Sequence, residues 1–186
     1  MAVRGLTVFF TGLSGAGKTT TAQALAARLR EYDARSITVL DGDAVRQRLS
    51  PELGFDRNDR EQNIRRIGSM AAEVAAAGGI AVCAAIAPYE ALRRSLRAIA
   101  EASGAYVLVY MATPLHVCEL RDPKGLYARA RAGTLPLFTG ISDPYEPPLD
   151  ADLALDTTTR TPEDCARCIL TLLTQRGLLA PMTQQL

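Results

Sequence analysis

The chain has 186 residues, 48% of them hydrophobic and 22% charged, and its 21 basic and 20 acidic side chains leave a formal charge of +1. That balance excludes a general nucleic-acid surface and an acidic-membrane binder, both of which need a basic excess. It also excludes a disordered chain, and the length suits one domain with one sizeable core.

In chain order, Leu6 to Thr11 is a short β-type run and Lys18 to Glu31 is helical, with Ala22, Leu25, Ala26 and Leu29 on one face. Ser36 to Leu40 reads as a second strand. Asp59 to Ala77 reads as a long helix ended by Gly78-Gly79. Ile80 to Ile86 is a third strand, apolar throughout, as expected when both faces of a sheet are covered. A helix over Tyr89 to Ala102, a strand over Tyr106 to Met111 and a helix opened by Pro114 follow. Asp152 to Leu155 is a short last strand, and the last helix begins at Thr161-Pro162-Glu163. Alternating β and α elements predict an α/β fold, a parallel sheet with helices on both faces. Residues 42–58 and 121–150 break the alternation and are expected to be irregular substrate loops or lids.

No apolar run approaches the roughly 20 residues of a membrane span, and the N-terminus lacks the apolar region and cleavage site of a signal peptide. The expectation is a cytoplasmic protein with no membrane partner. The cysteines Cys83, Cys118, Cys165 and Cys168 are then structural, and the single histidine, His116, is expected at the surface.

Gly12-Leu13-Ser14-Gly15-Ala16-Gly17-Lys18-Thr19 matches G-x-x-x-x-G-K-[ST], with a strand before it and a helix after. Glycines let the backbone wrap a phosphate with its N–H groups inward, and the helix start adds partial positive charge. This assigns Gly12, Ser14, Gly15, Ala16, Gly17, Lys18, Thr19 and Thr20 to ATP. Lys18 is expected to reach the β- and γ-phosphates and Thr19 to hold Mg²⁺, the one metal expected. A GTPase is excluded, because neither of the two lysines, Lys18 and Lys124, follows an Asn as a guanine-reading motif requires. The remaining 19 basic residues are Arg. A small-molecule kinase is the natural class.

Such a kinase needs an acid near the metal and the attacking hydroxyl. The third and fourth strands end without one, whereas the second ends Leu40-Asp41-Gly42-Asp43. Asp41 and Asp43 are therefore the candidate catalytic acids by elimination, beside Lys18; an Asp cap on a turn is the structural alternative. Arg46 follows, and Arg57, Arg60, Arg65 and Arg66 surround Asn63, which points to an anionic acceptor or to a solvated helix face. Phe55 and Phe138 lie in polar loops, where they either anchor the loops or stack on a purine.

Five blocks together resemble the adenylyl-sulfate kinase (APS kinase) family: residues 12–20, Leu-Asp-Gly-Asp-x-x-Arg at 40–46, residues 53–66, Arg-Asp-Pro-Lys-Gly-Leu-Tyr at 121–127 and Phe-Thr-Gly-Ile-x-Asp-Pro-Tyr-Glu-x-Pro at 138–148. The resemblance runs from about residue 4 to 176 and implies a single three-layer P-loop kinase domain with a lid segment. It implies transfer of the ATP γ-phosphoryl to the 3′-hydroxyl of adenosine 5′-phosphosulfate, giving ADP and 3′-phosphoadenosine 5′-phosphosulfate (PAPS). It places Phe55 and Phe138 on either side of the acceptor adenine and Asp43, Arg46, Arg60, Asn63, Ile86 and Lys124 in contact with the acceptor. It also implies a homodimer, and similar domains occur fused to sulfate adenylyltransferase. The sequence departs from the family at Ala87, where a serine is frequent, so no phosphoserine route exists there. Glu90 replaces a commonly basic residue and Leu137 a usual Gly or Asn. The rival readings are a kinase of another small acceptor and a non-catalytic domain that senses PAPS, though Lys18, Thr19, Asp41 and Asp43 are all in place.

Overall fold

The computed structural model describes residues 5–54 and 56–180. Five strands form one parallel sheet: β1 (Leu6–Thr11), β2 (Ile37–Asp41), β3 (Ile80–Ala84), β4 (Ala105–Met111) and β5 (Leu153–Leu155), in the spatial order β2-β3-β1-β4-β5. β1 is the centre, pairing with β3 on one side and β4 on the other. Its six residues are all buried, as are the five of β3. A strand covered on both faces has no solvent side to alternate toward, which is why these runs are apolar throughout.

Successive β1 residues feed opposite cores. Val8 and Phe10 pack with Leu25 of α1 (Lys18–Tyr32) and with Ile169 and Leu173 of the last helix. Phe9 packs on the other face with Ile67 and Leu96, from the long helices that follow β2 and β3. The fold is thus three layers, helix–sheet–helix, as expected. Because β1 exits toward β2 on one side while later strands add on the other, the end of β1 is the point where the strand order reverses, the usual ligand crevice of such sheets.

Three expectations need correction. Residues 42–58 are not wholly irregular: α2 spans Gly42–Leu49, with only Val45 buried, and α3 spans Arg57–Ala76. Each is started by an aspartate. The Asp41 carboxylate accepts from the Asp43 and Ala44 amides, and the Asp56 carboxylate accepts from Asp59 N–H at 2.8 Å. Likewise the 121–150 stretch contains α6 (Leu126–Arg131), after α4 (Glu90–Ser103) and α5 (Leu115–Arg121). The third strand also stops at Ala84, so Ile86 lies in a loop. The last helix, α7 (Pro162–Gln175), starts where expected, with Thr161 and Asp164 capping each other's backbone amides.

Candidate active site

The phosphate loop joins β1 to α1 at the reversal point. Its glycines are required by geometry at both ends. Gly12 has φ +146°, and a Cβ there would lie 2.7 Å from the Met111 carbonyl oxygen; Gly17, with φ +92°, is the left-handed N-cap of α1.

Side chains hold the loop's carbonyls one after another. The Lys18 ammonium donates to the carbonyls of Gly12 and Leu13 at 2.9 and 2.7 Å. The Tyr127 hydroxyl donates to the Ser14 carbonyl at 2.8 Å, and Arg121 donates to the Gly15 carbonyl at 3.1 Å. The Ala16 carbonyl lies 3.2 Å from the hydroxyls of both Thr113 and Thr157. A loop whose carbonyls are tied back in this way leaves N–H groups for an anion. Burial lowers the Lys18 pKa to about 8, with the nearby Asp43 charge opposing the drop. Lys18 is therefore still mostly cationic at neutral pH.

Asp41, the last residue of β2, has two jobs on its two oxygens. Oδ1 caps α2, accepting from Asp43 N–H at 3.0 Å and Ala44 N–H at 3.2 Å. Oδ2 accepts from the Thr19 hydroxyl at 2.7 Å. The cap and the candidate catalytic acid are therefore one residue. Asp43, two residues on, is exposed and forms an ion pair with Lys124 from the segment between α5 and α6. Lys18, Thr19, Asp41, Asp43 and Lys124 thus converge at one edge of the sheet, from three separate points of the chain.

The other predicted residues divide. Asn63 is buried on α3, donates to the Gly42 carbonyl at 3.3 Å, and keeps a side-chain oxygen with no partner. A buried acceptor left so is unusual in a folded chain. Arg60 reaches across to residues 137–143, donating to the Leu137 carbonyl and the Thr139 hydroxyl at 2.8 Å each and pairing with Asp143 at 3.2 Å. The Ile86 carbonyl accepts from Thr11 at 2.5 Å. Arg46 donates to the carbonyls of Leu53 and Gly54, strapping α2 to the loop after it. Phe138 is half-buried, edge-on to Tyr127 with ring centroids 5.0 Å apart. Phe55 lies outside the described residues.

The arginine cluster does not converge as a whole. Arg57 pairs with Glu61 and covers the Tyr89 ring, Arg65 reaches Ser95, and Arg66 binds Glu52 and the Leu49 carbonyl. For Arg57, Arg65 and Arg66 the solvated-face reading is the correct one. The Ala87 position is fully buried with φ +44°, and Glu90 pairs with Arg94. Leu137 has φ +54°, a left-handed backbone where Gly or Asn is at ease and a leucine is strained.

Residue-by-residue reasoning missed Tyr127, Arg121, Thr157 and Asp143. The signal available was their place inside the blocks that carried the resemblance, except for Thr157. Arg121 and Thr157 also line, with Gly17, Thr20, Arg160 and Pro162, a cavity of about 200 Å³ behind the loop. A cleft of about 580 Å³ runs from Leu13 and Thr113 to residues 140–147 rather than around Asp43.

Residues 4–156 match the adenylylsulphate kinase family. The chain belongs to that family. It is 46% identical to an adenylyl-sulfate kinase of a Synechococcus strain over 95% of its own length and 99% of the relative's. It is 45% identical to a sulfate adenylyltransferase of Gibberella zeae, but spans only 31% of that longer protein. Among solved structures, the Mycobacterium tuberculosis APS kinase in complex with AMPPNP and APS superposes with a TM-score of 0.87 at 42% identity, covering 92% of this chain and 98% of that one. A hexameric APS kinase from Thiobacillus denitrificans gives a TM-score of 0.76 at 43% identity, covering 96% of this chain and 30% of that one.

Proposed function

We propose that the chain transfers the γ-phosphoryl group of ATP to the 3′-hydroxyl of adenosine 5′-phosphosulfate, producing PAPS and ADP in sulfate assimilation. The observation that carries this reading is the junction of the two motifs: the Asp41 carboxylate on the Thr19 hydroxyl at 2.7 Å, with Asp43 and Lys124 paired beside it, in a chain of this family. We treat residues from about 4 to 176 as one catalytic domain, because both cores share one sheet.

The residues fit Mg²⁺. A hydroxyl and a carboxylate in contact are hard oxygen donors, and Mg²⁺ bound with nucleotide needs only one or two of these from the protein. Thr19 would hold the ion and Asp41 its waters; when bound, it neutralises charge on the phosphates. Lys18 leaves the Gly12 and Leu13 carbonyls to bind the β- and γ-phosphates. Asp43 accepts the proton of the attacking 3′-hydroxyl as the new O–P bond forms and the bond to ADP breaks. Lys124 exchanges Asp43 for the acceptor's phosphosulfate, which Arg46 and Arg60 also face, and Asn63 presents its unpartnered oxygen to the acceptor. Phe138 stacks on the acceptor adenine, with Phe55 opposite by resemblance to the family. No covalent phosphoenzyme forms at position 87, which carries no hydroxyl. The 121–150 segment excludes water, which limits wasteful hydrolysis of ATP.

Among the described residues no helix is long and apolar enough to cross a membrane. We propose a cytoplasmic location, consistent with four free thiols, and a homodimer, by resemblance to the family. Light scattering tests the second, with twice the 20.0 kDa chain mass expected. The activity is tested by separating PAPS from a reaction of ATP with adenosine 5′-phosphosulfate while following ADP release. ADP release with gluconate or a nucleoside monophosphate, and none with adenosine 5′-phosphosulfate, would establish the rival kinase reading. Binding of PAPS without turnover would establish the sensing reading.

A further inference from the structure

Two side chains of the lid-forming region hold neighbouring carbonyls of the phosphate loop: Arg121, at the end of α5, takes Gly15, and Tyr127, on α6, takes Ser14. The two differ in where their other contacts lie: Arg121 also donates to Thr157, behind the loop, whereas Tyr127 faces the acceptor side. Its ring meets Phe138 nearly perpendicularly, at 87° and 5.0 Å between centroids, so one rigid side chain touches both the ATP loop and the proposed acceptor-stacking residue. Its ring is buried and only 2% of the residue is exposed. Burial raises its pKa well above the ordinary range, so the hydroxyl stays a neutral donor. Its backbone is fixed as well. The two oxygens of Asp122 accept from the Tyr127 and Ala128 amides, each at 3.0 Å. The ring therefore has little freedom to absorb a shift of the Ser14 carbonyl.

We propose that Tyr127 is a positioning residue that couples the state of the phosphate loop to the placement of Phe138, so that nucleotide and acceptor each tighten the binding of the other. When nucleotide fills the loop, the Ser14–Gly15 peptide is fixed, the hydroxyl of Tyr127 follows it, and the ring edge sets the plane that Phe138 offers to the adenine. The effect is reciprocal, because coupling between two binding equilibria must be. The inference rests on the acceptor reading given above.

The test is calorimetric titration of the full chain with adenosine 5′-phosphosulfate, alone and in the presence of saturating magnesium AMPPNP. In the wild type the acceptor Kd should fall by about fivefold or more when AMPPNP is present, the lower end of typical coupling. In Tyr127→Phe, which keeps the ring and removes only the donor to Ser14, the two Kd values should agree within about twofold, while each ligand alone binds as it does to wild type. In Tyr127→Leu, which removes the ring edge as well, acceptor affinity should also weaken in the absence of nucleotide. Coupling that survives in Tyr127→Phe overturns this inference and leaves the acceptor assignment standing. A wild type that binds AMPPNP but not adenosine 5′-phosphosulfate overturns the acceptor assignment and this inference with it. Loss of both ligands in a Tyr127→Phe protein whose melting temperature has dropped, with Tyr127→Leu behaving identically, reduces Tyr127 to a core residue.

Discussion

Asp41 divides its two oxygens between a helix cap and the Thr19 contact proposed to serve the chemistry, and substitutions can separate them. Oδ1 accepts two amides at the start of α2 and Oδ2 accepts the Thr19 hydroxyl. Asp41→Asn can keep an oxygen toward the helix, and Asn caps about as well as Asp. Its NH₂ then faces Thr19, where it cannot accept and carries no charge. Asp41→Ala removes both functions. Losing a cap costs about 0.5–2 kcal/mol, typically about 1, and for a chain of this size each kcal/mol moves Tm by roughly 2–4 °C. Asp41→Ala should therefore melt about 2–4 °C lower, and Asp41→Asn within about 1 °C of wild type by the same scaling. Both should lose kcat by on the order of 10²-fold or more, the scale of a lost electrostatic or acid–base contribution. Thermal melts and coupled ADP release measure the two quantities on the same samples. An Asp41→Asn protein with near-normal turnover would reduce Asp41 to a cap and leave the chemistry to Asp43 alone.

Lys18→Arg should nearly abolish turnover without unfolding the chain, because a guanidinium is too bulky for the space between the Gly12 and Leu13 carbonyls; a folded, active variant would sink the cradle argument. With its pKa lowered to about 8 from an ordinary 10.5, Lys18 loses its proton in the folded chain before the unfolded one does. Its contribution to stability therefore rises with pH between about 8 and 10.5, while kcat/KM for ATP falls over the same window; a rate flat to pH 9.5 would refute this. Lys124→Arg should raise KM for the acceptor with little change in kcat, and an unchanged KM would count against its contact with substrate. Leu137→Asn should relieve part of the ~1–2 kcal/mol that a left-handed backbone costs an ordinary residue, raising Tm by roughly 2–4 °C. A lower Tm would mean that the leucine side chain, 49% exposed, contributes more than its backbone costs.

The elements legible in the sequence are those whose physics is local or periodic. β1 and β3 show as unbroken apolar runs because both of their faces are covered, and the phosphate loop shows because its glycines sit at fixed offsets. α2 escaped because eight residues with one buried side chain, Val45, leave no periodic stripe; the helix depends on the Asp41 cap. α6 is shorter still, with Tyr127 its one buried residue. The arginine cluster shows the limit of sequence proximity. At 100° per residue Asn63 lies roughly 60° around α3 from Arg60, whereas Arg65 and Arg66 lie roughly 140° and 120° from it. The side chains on the Ser14 and Gly15 carbonyls come from more than a hundred residues away. Neither hydrophobic pattern nor turn chemistry encodes such a pairing; only the blocks around them marked the region.

The scarcity of lysine acquires a physical sense from what the arginines do. Arg93 is buried and bridges the Ala87 and Glu146 carbonyls, Arg35 grips Asp33 and the Leu178 carbonyl, and Arg121 grips Gly15 and Thr157. Each is a planar fork spanning two partners, and such cross-links suit contacts that never open. In the proposed reaction the two lysines stand where contacts must open. Lys18 has to leave two carbonyls when a phosphate arrives, and Lys124 has to leave Asp43 when that carboxylate takes up a hydroxyl. An ammonium is a compact point charge whose three donors turn freely on a flexible stem, so it changes partners without re-aligning a plane. In a chain that otherwise uses Arg at its basic positions, both lysines fall where the proposed reaction requires a change of partner. Arg60 is the instructive exception: it binds Leu137, Thr139 and Asp143 together, and it can meet the acceptor only if that loop moves with it.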